Sequence, residues 1–221
     1  MKRQESGDFT TPLLVMCEGQ GDKRFLDRLI GEQIANNASF TVRFAGGNAG
    51  IAGFLRVAFD TSSTFKSVVK RVLILSDNDD NPDKAFNDLK ASLESVGGFA
   101  IPDGERVIAV RAGSPDICIA MIPFNESGNL ETLCLEAAYS KWDIKGPLDS
   151  YVGATPAQRW GVGKQSKMRM QAIIAATCEA QPDVNLANHL AEGNAVCFSF
   201  KHSCFDELVS FLASFEQMPT P

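Results

Sequence analysis

Acidic motifs recur in order along the chain: Glu18 in Cys17-Glu18-Gly19-Gln20-Gly21-Asp22, Asp77 and Asp79 in Ser76-Asp77-Asn78-Asp79-Asp80, and Glu131 in Gly128-Asn129-Leu130-Glu131. Carboxylates are hard oxygen donors. Mg²⁺ and Mn²⁺ prefer such donors, take only a few from the protein, and leave their remaining positions to water or substrate phosphate. Alternate residues of a strand share a face, so a strand continued through Asp77 and Asp79 turns both carboxylates to one side, where they grip one ion. With Glu18, Asp22 and Glu131 they form a candidate donor set for one or two metals, of the kind that stabilises charge in phosphoryl transfer. The same residue types also serve local structure. An Asp-rich turn such as 77–83 caps helices, and an acid at position 131 suits a helix N-terminus whatever the function.

Placing these acids together requires that each lie at or just beyond a short apolar run. Leu13 to Cys17 reads as a buried strand, and the Gly19/Gly21 turn leads into an amphipathic helix with Phe25, Leu26, Leu29, Ile30 and Ile34 on its apolar side. Residues 40–45 give a second strand, Gly46 to Gly50 a turn, and Ile51 to about Phe59 a helix. Val72 to Leu75 is a third strand, and Asn81-Pro82 opens a helix through Leu93. Val107 to Val110 and Ile117 to Ile122 add two strands, and a helix follows Gly128. Strands alternating with helices predict an α/β, three-layer, Rossmann-like fold with a mostly parallel sheet, and ligands beyond the carboxyl ends of its strands. Beyond about residue 145 glycines and prolines interrupt a basic stretch before helical periodicity returns at 168–176 and 205–215. We therefore expect an α/β domain over 1–145 and a basic, mainly helical extension over 146–221 packed on it.

The 221 residues are 44% hydrophobic and carry a net charge of −6, which opposes unselective polyanion binding. That value hides an asymmetry. Residues 77–103 carry seven acids against two lysines, whereas residues 141–171 carry six bases against Asp143 and Asp149. A metal-loving edge and a phosphate-loving segment can thus face each other. Trp142, Tyr151 and Trp160 interleave with those bases, a mixture that stacks bases beside phosphates or, more ordinarily, anchors a tail to a core. The six cysteines include no C-x-x-C pair and suit a reducing cytoplasm; Cys197, His202 and Cys204 make a poor zinc set. No long apolar segment follows the N-terminus, so neither a signal peptide nor a membrane span is expected. Gly46 to Gly50 and Gly161-Val162-Gly163-Lys164 match neither a dinucleotide fingerprint nor a P-loop.

The order Glu18-Gly19-x-x-Asp22, strand with Asp77-x-Asp79, then Gly128-x-Leu130-Glu131 resembles the Toprim domain, in particular small stand-alone proteins related to the nuclease domain of the OLD (overcoming lysogenization defect) family. The resemblance spans roughly residues 12–140. It implies a Toprim-like sheet, Mg²⁺ or Mn²⁺ on Asp77 and Asp79, and Glu18 as general acid or base or as a metal ligand. It further implies an acid after the sheet, matched by Glu131, and a later site lysine, for which Lys164 and Lys167 are the matches. The ATPase portion of OLD proteins has no counterpart here, which implies a small protein acting alone or with partners.

Two functions from different classes follow. One is a metal-dependent nuclease cleaving DNA or RNA phosphodiesters. The other is a non-catalytic Toprim-fold module binding a metal, a nucleotide or a protein partner, including a second copy of the chain. A receiver-like or phosphatase-like α/β domain, with Asp77 as phospho-acceptor, leaves the Glu18 and Glu131 motifs unexplained.

Overall fold

In the computed structural model, residues 8–191 and 196–218 are described. Five apolar runs become strands: β1 Leu13–Cys17, β2 Phe40–Phe44, β3 Arg71–Asp77, β4 Ile108–Ala109 and β5 Asp116–Ile122. They form one sheet in the order β2-β1-β3-β5-β4, parallel throughout except for β4, which runs antiparallel along the β5 edge. The expected strand at 107–110 shrinks to two paired residues. Val107 and Val110 lie exposed and only Ile108 is buried, so little apolar surface holds the edge in place.

Alternation along the strands decides the layering. Leu14, Met16, Val72, Ile74, Ile117, Ile119 and Met121 turn to one face, under helices α2 Asn48–Thr61, α3 Ser63–Val68 and α4 Pro82–Glu94. Leu13, Val15, Leu73, Leu75, Cys118 and Ala120 turn to the other. That face is covered by α1 Gln20–Gln33, α5 Leu130–Lys141, α7 Val162–Thr177 and α9 Asp206–Phe215. The result is a three-layer α/β fold. Short helices α6 Lys145–Gly153 and α8 Leu186–His189 complete the described chain.

Met170, Ile173, Phe198, Phe205, Leu212 and Phe215 are all buried in the same cluster as β1 and β3. Each such side chain contributes on the order of 1.5–3 kcal/mol by leaving water, so α7, α9 and the described residues 196–205 pack into this layer. Helix α7 starts earlier than the apolar periodicity suggests. Gly161 serves as its N-cap, and Gly163 lies buried in the first turn, its carbonyl accepting from Asn129 Nδ2 at 3.1 Å. Among the described residues, no helix is long and apolar enough to cross a membrane.

The winding reverses at one place. From β1 the chain passes through α1 on one face to β2, then returns through α2 and α3 on the opposite face to β3 on the other side of β1. A crevice therefore opens between the carboxyl ends of β1 and β3, the position where open α/β sheets take ligands.

Candidate functional site

Cys17, the last residue of β1, is in register with Leu75 of β3, which makes Glu18 and Ser76 the next neighbours across the crevice. The buried Ser76 hydroxyl donates to the Glu18 carboxylate, and the Asp77 N–H donates to Glu18 Oε1 at 3.3 Å. Ser76 Oγ also lies 3.2 Å from Oδ1 of Asn48, the first residue of α2. A hydroxyl has one proton, and the carboxylate is the stronger acceptor, so the Asn48 amide serves best with its N–H turned toward Ser76. The Glu18 carbonyl meanwhile accepts from the N–H groups of Gly46 and Gly47 at 2.8 and 3.1 Å. Glu18 is thus held from both neighbouring strands.

Asp77 ends β3, and its Oδ1 accepts the Leu130 N–H at 3.1 Å at the start of α5. Glu131 follows in that first turn. Asp22, in the first turn of α1, accepts the Gly19 N–H at 2.8 Å. These four half-buried carboxylates line one cavity of about 390 Å³, with Lys167 of α7 on its wall and Asn185, Leu186 and Ala187 closing the far side.

Burial, reinforced by Asp22, Glu18 and Glu131 and opposed by Lys167, pushes the Asp77 carboxyl up to about 8. Asp22 is pushed up to about 6, again chiefly by burial, against the pull of the Gly19 N–H. Glu131 is raised by burial and drawn back by Lys167. One ammonium does not neutralise four carboxylates, and at neutral pH a proton on Asp77 makes up part of the difference.

A divalent cation is the other species that offsets such a charge, and the oxygen donors present suit Mg²⁺ or Mn²⁺. Among the described residues, no three His, Cys, Asp or Glu side chains close into a metal cage. The carboxylates instead face shared space. That arrangement fits an ion that keeps several waters better than one enclosed by protein.

Asp79 is not brought to this cavity. Its φ of 50° ends the extended backbone at Asp77, and its exposed side chain lines an adjoining cavity of about 400 Å³ with Asp80, Lys84, Asp88, Lys164 and Lys167. The alternation expected to align Asp77 with Asp79 therefore stops one residue early. Instead, the Asp79 carbonyl accepts the Gly128 N–H at 2.7 Å, fastening the loop before α5. Lys164 lines only the adjoining cavity, whereas Lys167, one turn along α7, lines both.

Outside the cavity, Cys197, His202 and Cys204 engage separately. Cys197 Sγ contacts Met170, Cys204 Sγ donates to the Leu133 carbonyl, and His202 Nδ1 accepts the Cys204 N–H. Burial pushes the two thiols up to about 11 and 12, so both stay protonated. The aromatics divide between roles: the Trp142 indole N–H donates to the Cys197 carbonyl at 2.8 Å and anchors that segment, while Tyr151 and Trp160 are exposed.

Three contributors escaped the reading of the sequence. The Asn185–Ala187 wall comes from a segment with no chemical motif. Asn48 sat in what reads as a plain glycine turn. Ser76 did carry a signal, being a polar residue at the end of a fully apolar strand.

A family model described as "Protein of unknown function (DUF3226)" matches residues 12–217. A comparison with solved structures finds similarity to two of the C-terminal region of the Xanthomonas campestris pv. campestris OLD protein, one phased with mercury and one with iodine. Each is 11% identical, covers 95% of this chain and 100% or 98% of its own, and gives a TM-score of 0.40 or 0.39. At that similarity neither an activity nor a residue role is transferred. No curated protein matches the sequence.

Proposed function

This chain belongs to the DUF3226 family, and we propose that it is a metal-dependent phosphoryl-transfer enzyme, a nuclease acting on DNA or RNA phosphodiesters. The observation that carries the proposal is the convergence of Glu18, Asp22, Asp77 and Glu131 on one cavity at the switch point of the sheet. The resemblance of the motif order to that of Toprim domains supports it. One or two carboxylates from among Asp77, Glu131 and Asp22, with waters in the remaining positions, would hold Mg²⁺ or Mn²⁺. The ion would supply charge neutralisation at a phosphate and a more acidic bound water.

The chain's own groups divide the remaining work. Glu18, fixed by Ser76 and by the Asp77 N–H, is placed to hold or pass a proton at its carboxylate. Lys167 faces the acids from α7 and offers an ammonium to developing phosphate charge. Lys164 is set back in the adjoining cavity and is the weaker choice for that role.

A second reading, a metal, nucleotide or protein binding module without catalysis, would use the same acid cavity. A cleavage assay separates the two. Labelled single- and double-stranded DNA and RNA are incubated with Mg²⁺ or Mn²⁺ and either wild-type protein or Asp77→Ala. Cleavage by the wild type alone sustains the nuclease. Thermal stabilisation by the metal with no cleavage of any substrate leaves the binding module.

A further inference from the structure

We infer that the start of α7 and the turn before it form a binding track for single-stranded nucleic acid that leads into the acid cavity. Trp160 ends a 3-10 turn over residues 156–159 and is 45% exposed, unlike the anchored Trp142. Its carbonyl is held by Gln165 Nε2 at 2.9 Å, so the segment that presents the indole is fastened back to α7. Arg159 beside it, then Lys164 and Lys167 on successive turns of α7, are exposed and make no ion pair among the described residues. Between residues 150 and 178 the chain has four bases and no acid. A large exposed indole flanked by unpaired cations is the combination that stacks a base while holding the adjacent phosphates.

Continuity gives the track its direction. Gly161, next to Trp160, lies against the Asp80 carboxylate so closely that a Cβ there would overlap it. Asp80, Lys164 and Lys167 share the adjoining cavity, and Lys167 also lines the acid cavity. Asp79, Asp80 and Asp88 line that cavity as well: Asp88 is paired with Lys84, and Asp80 lies at the start of α7, its Oδ1 3.5 Å from the Gly163 N–H nitrogen. Lys164 and Lys167 are the cations that α7 offers to phosphates there. A strand with its bases splayed can present one face to Trp160 while its backbone follows Lys164 toward Lys167. A duplex keeps its bases stacked internally, and its phosphate array meets an acidic protein with a net charge of −6. The direction toward the acids rests on the nuclease proposal; binding itself does not.

The test uses the full chain with chelator present, so that binding is measured without cleavage. Tryptophan fluorescence is followed during titration with oligothymidylate, oligouridylate and a DNA hairpin duplex. Trp142 and Trp160 are the two tryptophans of the chain, so in Trp142→Phe the tryptophan signal reports on Trp160 alone. Quenching by one or both single strands, and weaker binding of the duplex, is expected; the two single-stranded arms distinguish DNA from RNA. Trp160→Ala should weaken single-strand binding, read by anisotropy of a labelled oligonucleotide, by about 10-fold. Lys164→Glu should weaken it and flatten its salt dependence. Trp142→Phe should retain the quenching. Absence of single-strand binding, duplex binding as tight as single-strand binding, or unchanged affinity in Trp160→Ala overturns the track. So does a change in self-association on Trp160→Ala with no change in oligonucleotide affinity. Single-strand binding without metal-dependent cleavage keeps the track and removes the nuclease, whereas cleavage with unchanged affinity in Trp160→Ala does the reverse.

Discussion

Asp77 Oδ1 accepts the Leu130 N–H at 3.1 Å, so the carboxylate at the end of β3 also holds the first turn of α5, the turn that carries Glu131. Its chemical and structural duties can be separated by charge. Asparagine keeps an oxygen acceptor for Leu130 but never ionises. The folded-state value of Asp77, about 8, lies above its ordinary value of 3.8, so the native state binds a proton that the unfolded chain has already lost. The stability associated with that proton is complete below about pH 4 and is lost as pH rises through about 8. In chelator, the melting temperature of the wild type should therefore fall relative to that of Asp77→Asn between pH 5 and 9. A difference that does not vary with pH would contradict the raised value. Activity should be abolished in both Asp77→Asn and Asp77→Ala.

Metal should reverse that trend. A divalent ion competes with the protons on Asp77 and Asp22, so its binding releases protons and strengthens as pH rises. Thermal stabilisation by saturating Mg²⁺ should be larger at pH 8 than at pH 6 and absent in Asp77→Ala. Equal stabilisation at both pH values would place the ion elsewhere.

Ser76 and Glu18 form the crevice contact that sequence alone did not reveal. Ser76→Ala removes the hydroxyl without touching a proposed metal ligand, and as an outer partner it should lower activity by about 10- to 100-fold. Its folding cost should be only about 1 kcal/mol, and Ser76→Thr should recover part of the activity. If Ser76→Ala cleaves like the wild type, Glu18 does not depend on that hydroxyl.

The three-layer arrangement was legible because unbroken apolar runs such as Leu13 to Cys17 and Ile117 to Ile122 allow little besides buried strands, and a helix was expected after Gly128, to which the structure adds Asn129 as N-cap. The convergence of distant segments was less so. Whether Asp79 shares the space of Asp77 depends on one backbone torsion, its φ of 50°, which the Asp-x-Asp spacing does not encode. The choice between Lys164 and Lys167 depends on the rotational setting of α7. Gly161 and Gly163 obscured that helix because as breakers they imitate a loop, whereas here one is its N-cap and the other gives Asn129 close access to its backbone.

Those two placements make opposing demands on variants. Asp79→Ala should cost less cleavage than Asp77→Ala, because Asp79 is exposed in the adjoining cavity and contributes its carbonyl, retained in alanine, to the Gly128 contact. Lys167→Met should reduce turnover more than Lys164→Met, since only Lys167 lines the cavity with the four acids. Rates measured at saturating substrate and metal make the comparison. Equal loss in both members of either pair would mean that the two cavities act as one site.

Gly128 tests whether the loop geometry itself sets the site. Its φ of 135° lies outside the range comfortable for other residues, and a Cβ there would run into Thr132, whose hydroxyl accepts the Asn129 N–H and donates to Ser166 on α7. Gly128→Ala therefore forces either the loop or the Thr132 cap to move, at a cost of about 1–3 kcal/mol. Because Asn129 and Glu131 directly follow Gly128, loss of Mg²⁺-induced stabilisation should accompany the lowered melting temperature. A variant that melts lower yet keeps its full response to metal would show that the acids hold their positions without the turn.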